Sequence, residues 1–194
     1  QFEVLPYVTK YLKKQLLKDK GLYGKKLYGN RLFTDFYHHR YSLTDSYEED
    51  YCLLPHGASD KLDVSWNLGL SDFRSNTVMG KTKDIFFDYC EKLFKIEHLL
   101  PWADPDKPRQ NNLMALFNTN YERNTVAFQR KHAIELLEAS EIENSVFGNK
   151  RISKKQYNKL IQNSKVVLSL FGWGEICYRD LEAFVNGAAL LMPD

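Results

Sequence analysis

The sequence predicts an α/β chain whose later half is a parallel sheet layered with helices. Three observations lead there. After residue 109, apolar runs of strand length alternate with helical stretches at short spacings, in the order strand, helix, strand, helix, strand. Just before that alternation, Pro101, Pro105 and Pro108 fall within eight residues, which neither a helix interior nor a central strand tolerates. A Gly-x-Gly loop at Gly172 and Gly174 follows an apolar strand and precedes a helix, the place where open parallel sheets put their ligands. We therefore expect two α/β portions, 1–105 and 106–194, with the proline segment joining them.

Composition narrows the class. With 43% hydrophobic and 27% charged residues, the chain falls in the globular range and outside the disordered and collagen-like ones. The net charge of +2 selects no partner, but its distribution is uneven. Residues 1–41 carry nine Lys/Arg against Glu3, Asp19 and Asp35, whereas 42–60 carry only acids (Asp45, Glu48, Glu49, Asp50, Asp60). Such a switch reads as solvated surface before it reads as an anion-binding face. Cys52, Cys90 and Cys177 are far apart and lack metal-ligand spacing, so no structural metal is expected and a reducing, cytoplasmic setting is. No apolar run has the length of a membrane span. Gln1 and Pro193-Asp194 read as the cut ends of a longer chain.

The elements follow in order. Val8, Leu12, Gln15 and Leu16, with Tyr11, make a 3.6-residue stripe, which predicts an amphipathic helix over 7–19 ended by Gly21. The aromatic, Gly-rich stretch 21–41 reads as loop and then a short helix near 31–40, and 44–60 as acidic loop. Leu62–Trp66 alternates like a strand and breaks at Asn67-Leu68-Gly69. Residues 82–97 read as a helix. Leu113–Phe117 is a strand and 124–139 a helix, with Val126, Ala133, Ile134 and Leu137 on one stripe. Residues 140–152 read as loop. Ser153-x-x-Gln156 has the form of a capping box, in which each side chain satisfies a free backbone N–H of the helix start. Lys165–Leu170 is a buried strand, 176–186 a helix closed by Asn186-Gly187, and Ala188–Met192 the next strand.

The chemistry concentrates after residue 171. Glycines 172 and 174 let backbone approach a ligand, and the helix start beyond them offers unpaired N–H groups and a positive dipole end. Glu175, Arg179 and Glu182 are spaced four and three, which puts them on one helical face; Cys177, Leu181, Phe184 and Val185 fall on the other. Arg179 suits a diphosphate, and Glu182 suits a ribose diol. The bland alternative is a surface ladder of ion pairs. Trp173 either stacks on a base or sugar or caps the core, and Cys177 reads as a small buried hydrophobe.

The segment Phe171-Gly-Trp-Gly-Glu-Ile-Cys-Tyr-Arg-Asp-Leu-Glu-Ala-Phe-Val-Asn-Gly187 resembles the donor-site segment of GT-B glycosyltransferases, most closely bacterial family-1-like and exostosin-like members. Those carry a Gly-rich loop, an Arg, Glu-Ala, and a Gly four residues beyond the Ala; Arg179, Glu182, Ala183 and Gly187 match that order. Ser164–Ser169 matches the strand before it, and 109–137, with Asn118–Thr125 and Gln129-Arg130, is similar to the opening strand and helix of the same domain. The resemblance implies a Rossmann-like donor domain over 106–194, preceded by part of an acceptor-side domain. It implies transfer of a sugar from a nucleotide-diphosphate sugar to a hydroxyl of a glycan or lipid-linked glycan. The nucleotide-sugar is then a substrate, bound by Gly172, Trp173, Gly174, Glu175, Arg179 and Glu182, and neither a cofactor nor a metal is implied. Peripheral contact with a membrane fits a lipid-linked acceptor. Retaining members often have an acid eight positions before the second Glu. Here that position is Gly174, with Glu175 one step off, so stereochemistry is open and no catalytic residue is assigned.

Two other functions compete. A non-catalytic nucleotide- or glycan-binding module of the same fold would lack turnover. Nucleic-acid binding by the basic, Tyr-rich 10–41 would be steeply salt-dependent, but the acids at 45–50 weaken that field and no such motif is present, so no nucleic-acid partner is expected. For a general base, His38, His39, His56, Asp63 and Asp72 are candidates of equal standing. His38 and His39 beside Asp35 read as structural before they read as metal ligands.

Overall fold

The structure is a computed structural model that describes residues 2–46, 50–65, 103–172 and 174–193. The helix expected at 82–97, the break at Asn67-Leu68-Gly69, the end of the strand at Trp66, Cys90 and Trp173 lie outside the described residues. The chain is α/β with parallel sheets and four described helices, and its packing separates into two compact units. The first comprises 1–67, 117–141 and 170–176; the second comprises 68–116, 142–169 and 177–194.

The second unit holds a four-stranded, wholly parallel sheet. Its strands are β3 (Asn111–Leu116), β4 (Ser145–Gly148), β5 (Ser164–Leu168) and β6 (Ala189–Leu191), in the spatial order β4-β3-β5-β6. Val166 pairs with Ala189 and Leu168 with Leu191, so the strands expected at 165–170 and 188–192 are parallel neighbours. This arrangement is compatible with a Rossmann-like fold. Parallel strands need crossovers, and helices α3 (Lys154–Gln162) and α4 (Tyr178–Val185) supply those from β4 to β5 and from β5 to β6. The core is Met114, Leu116, Ile161, Val167, Ala183 and Ala188. Burying each larger aliphatic side chain here contributes about 1.5–3 kcal/mol. The capping box at Ser153 is formed: its Oγ accepts from Gln156 N–H at 3.3 Å, and Gln156 Oε1 accepts from Ser153 N–H at 3.1 Å.

One strand was not expected. β4 lies inside 140–152, which reads as loop because Ser145-Val146-Phe147-Gly148 is short and flanked by polar residues. Its pairing to β3 along Leu113–Leu116 makes it a strand. Pro105–Pro108 is exposed, as the prolines and charges require, but Arg109 is tied down. Its guanidinium donates to the carbonyls of Gln162, Ser164, Asp104 and Asn186 at 2.8–3.2 Å.

The first unit contains a two-stranded parallel sheet, β1 (Tyr11–Lys13) with β2 (Leu62–Val64), and the helices α1 (Leu32–Tyr41) and α2 (Asn124–Ala139). The helix expected over 7–19 is absent; a single 3₁₀ turn at Leu5–Tyr7 and then β1 stand in its place. The stripe fails because Leu12 points to solvent while Tyr11 and Lys13 turn inward, a period of two. Phe2, Leu5 and Leu62 form the core under this sheet, with Phe2 edge-on to Tyr11 at 5.8 Å. The two helices meet through Tyr37, Tyr41 and Phe128, the last two with ring centroids 4.6 Å apart. Helix α2 matches its expected span, but its buried face is Thr125, Val126, Gln129 and Arg130. Its start is capped from a distant loop, where Asp45 Oδ1 accepts from the Thr125 N–H at 2.9 Å and the Thr125 hydroxyl at 3.1 Å.

Candidate functional site

In the order β4-β3-β5-β6, the chain reverses direction across the sheet between β3 and β5. Open α/β sheets bind ligands beyond the carboxyl ends of strands at such a reversal. Helices α3 and α4 each follow a strand, so their first turns lie at the carboxyl-end side of the sheet.

Four polar side chains of the second unit meet across those first turns. Lys154 opens α3 and Tyr157 follows one turn on; Arg179 and Glu182 stand in the same relation on α4. Lys154 Nζ lies 2.5 Å from Glu182 Oε1, and the Tyr157 hydroxyl donates to Glu182 Oε2 at 2.9 Å. The Arg179 guanidinium acts on the Tyr157 phenol from the first turn of α4. Burial, and then the neighbouring Glu182 carboxylate, push the Tyr157 phenol far above its usual range, while Arg179 pulls the other way. Tyr157 therefore keeps its proton throughout the physiological range and acts as a hydrogen-bond donor. Two cations against one carboxylate leave the cluster positive by one charge, and two helix N-termini add to that field.

Helix α4 begins at Tyr178, not at 176, with Cys177 as its cap. The Asp180 carboxylate, 3% exposed, accepts from the Cys177 N–H at 2.7 Å. Cys177 Sγ sits 3.2 Å from Ser169 Oγ and 3.3 Å from Asp180 Oδ1, so it serves the helix start and is not a buried hydrophobe. Glu175 precedes the helix and cannot share the helical face of Arg179 and Glu182. The opposite face agrees with expectation at Val185, which is buried, and differs elsewhere: Asp180 and Ala183 are buried too, and Phe184 is 48% exposed.

The remaining expected residues belong to the first unit. Gly174 and Glu175 line a cavity of about 830 Å³ together with residues of β1 and the loops after it. Neither Gly172 nor Gly174 has a positive φ. Gly174 is needed for a close approach instead: a Cβ there would meet Gln15 Oε1 at 2.7 Å, and Gln15 Nε2 donates to the Ile176 carbonyl at 2.7 Å. Gly172 stands near Arg130, whose guanidinium donates to the Asn118 carbonyl at 2.7 Å and lies 4.7 Å over the Tyr121 ring.

Sequence reasoning missed Lys154 and the polar use of Tyr157. The signal was available: positions 154 and 157 repeat the three-residue spacing of 179 and 182. Among the base candidates, His38 stacks on Tyr28 at 3.9 Å and contacts the Leu43 carbonyl through Nδ1 at 2.6 Å. His39 pairs with Asp35 at 3.4 Å, and Asp63 faces Lys10 at 3.6 Å. His56 is exposed, and Asp72 lies outside the described residues. Among the described residues, no group of three or more His, Cys, Asp or Glu is placed to hold a metal ion, and no helix is long and apolar enough to cross a membrane.

No protein-family model matches the chain, and comparisons with curated proteins and with solved structures give no match either. Fold and site together define an α/β chain with parallel sheets and a net-positive cluster on the first turns of two crossover helices.

Proposed function

We propose that this chain carries the nucleotide-sugar-binding part of a GT-B glycosyltransferase, which moves a sugar from a nucleoside-diphosphate donor to a hydroxyl of a glycan or lipid-linked glycan. The observation that carries this reading is the Lys154–Glu182–Tyr157–Arg179 cluster, built on two helix starts that follow parallel strands. Arg179 would bind the diphosphate, whose charge both helix dipoles favour. Lys154 donates to one Glu182 oxygen and Tyr157 to the other, and a carboxylate oxygen can accept more than one hydrogen bond, which suits a ribose hydroxyl as well. Lys154 and Tyr157 would hold that carboxylate in place. Catalysis would rest on orientation and on stabilising the leaving diphosphate. The departing group carries its charge with it, and the positive cluster would lower the cost of that step.

The test is calorimetric titration of the folded chain with UDP, GDP, ADP, CMP and dTDP. One diphosphate should bind, and Arg179→Ala should weaken it by about 1.5–3 kcal/mol while sparing the parent nucleoside. Glu182→Gln should weaken nucleotide and nucleoside alike. If wild type, Arg179→Ala and Glu182→Gln bind equally, the cluster is only a pin between α3 and α4. Binding without turnover of the matching nucleotide-sugar would favour the non-catalytic module.

A further inference from the structure

The cavity of about 830 Å³ in the first unit lies within the size range that encloses small-molecule ligands. Its lining mixes three kinds of group. Lys13, Lys14, Lys25 and Arg31 supply positive charge; Asp50 and Glu175 supply carboxylates; Tyr11 and Tyr23 supply ring surface. We propose that this cavity is a binding site for an anionic saccharide, a sugar ring bearing one phosphate or carboxylate group.

Each part of the lining restricts the ligand. Four cations against two acids favour an anion, and Lys13, on inward-facing β1, is half-buried. Its ammonium lies 5.1 Å from the Tyr23 ring centroid and 5.6 Å from that of Phe2, so aromatic faces hold this cation in the cavity wall. Burial holds the Lys13 ammonium below its usual range, and the Glu175 carboxylate pulls the other way, so a bound anion would favour the charged form of Lys13. The two carboxylates repel a polyanion but accept hydrogen bonds from hydroxyl groups. A ligand that satisfies both demands carries one negative group and several hydroxyls. The flat faces of sugar rings suit the tyrosines. Gln15 is held over Gly174 by its bond to Ile176, which fixes the wall bearing Glu175.

This goes beyond nucleotide binding and is tested apart from it. The whole chain is titrated with glucuronate, glucose 1-phosphate, glucose and inorganic phosphate. Both anionic sugars should bind, and glucose and inorganic phosphate should each bind at least about tenfold more weakly, the scale of one charge-assisted hydrogen bond. Lys13→Gln should weaken both anionic sugars by about tenfold, and the exposed Lys14→Gln by less. Glu175→Ala should reduce the preference for glucose 1-phosphate over inorganic phosphate. Arg179→Ala should change none of these, whatever it does to UDP. The proposal is overturned by folded wild type that binds neither anionic sugar, by inorganic phosphate binding as tightly as glucose 1-phosphate, or by Lys13→Gln and Lys14→Gln both matching wild type. Loss of UDP binding alone would sink the donor reading and leave this one standing.

Discussion

The Lys154–Glu182 pair offers a measurable coupling. Its atoms are 2.5 Å apart, with the Glu182 side chain 12% and the Lys154 side chain 34% exposed. A fully exposed pair would couple by about 0.2–1 kcal/mol, whereas truncating one partner of a fully buried pair costs about 3–5 kcal/mol. The carboxylate is nearly enclosed and the ammonium is one-third open, so screening acts on one side only. We expect a coupling of about 1–2 kcal/mol, between those limits. Glu182→Gln keeps an oxygen for Tyr157 to donate to and removes only the charge. Lys154→Met keeps the stem and removes the ammonium. The two single variants and the double variant, unfolded in urea with equal m-values, give the coupling as the non-additive part. Glu182→Gln alone should cost about 1–2 kcal/mol, or roughly 2–8 °C in Tm for a chain of this size. A coupling under about 0.3 kcal/mol, the scatter expected of independent sites, would mean that water screens the pair and that Glu182 is not held in place.

Other expected outcomes follow from single contacts. Tyr157 is held protonated above its unfolded value of about 10, so the unfolded chain loses this proton first and stability falls as pH rises past about 10, by up to 1.36 kcal/mol per pH unit. Tyr157→Phe should make that alkaline slope shallower in denaturant titrations; an unchanged slope would contradict the buried phenol. Tyr23 and Tyr37 shift the same way through burial and should keep a residual slope. Gly187 has φ +68°, and a Cβ there would meet the Ala103 carbonyl at 2.6 Å and Arg109 Nη2 at 2.8 Å. Gly187→Ala should therefore cost about 3 kcal/mol, from left-handed backbone and lost hydrogen bonds. Gly174→Ala displaces only the end of Gln15 and should cost about 1 kcal/mol, one hydrogen bond; equal losses at the two glycines in thermal melts would refute the distinction. Asp45→Ala should remove the cap of α2 at a cost of about 1 kcal/mol, read as faster amide exchange at Thr125 and Val126.

What the sequence made legible was periodic and local. Helix α2 and the capping box at Ser153 came from spacings that one segment carries by itself. So did the parallel pairing of β5 with β6, since a short helix between two apolar runs leaves few alternatives. What was not legible depends on partners far along the chain. β1 becomes a strand because β2, some fifty residues later, offers it a ladder, and no 3.6-residue count can reveal that. The start of α4 was misplaced because its cap is Cys177 with Asp180, a box without the usual Ser or Thr.

The same distinction runs through the candidate site. Arg179 and Glu182 were found because helix spacing alone puts them on one face. Glu175 was grouped with them by starting that helix at 176, two residues early and ahead of its cap at Cys177. Lys154 and Tyr157 repeat the spacing of Arg179 and Glu182, but the sequence does not show which helix they face, because a crossover helix is placed by the sheet it packs on. Once β4, β3 and β5 are parallel neighbours, the carboxyl ends of β4 and β5 fix where α3 and α4 begin, and two i,i+3 pairs that mean little apart become one cluster. The charge of that cluster follows from the same topology. Both helix starts point their free N–H groups to the carboxyl-end side, so any carboxylate placed there is stabilised and any cation is disfavoured. A net excess of cations on that side works against the helix dipoles, and the cluster costs less when an anion joins it.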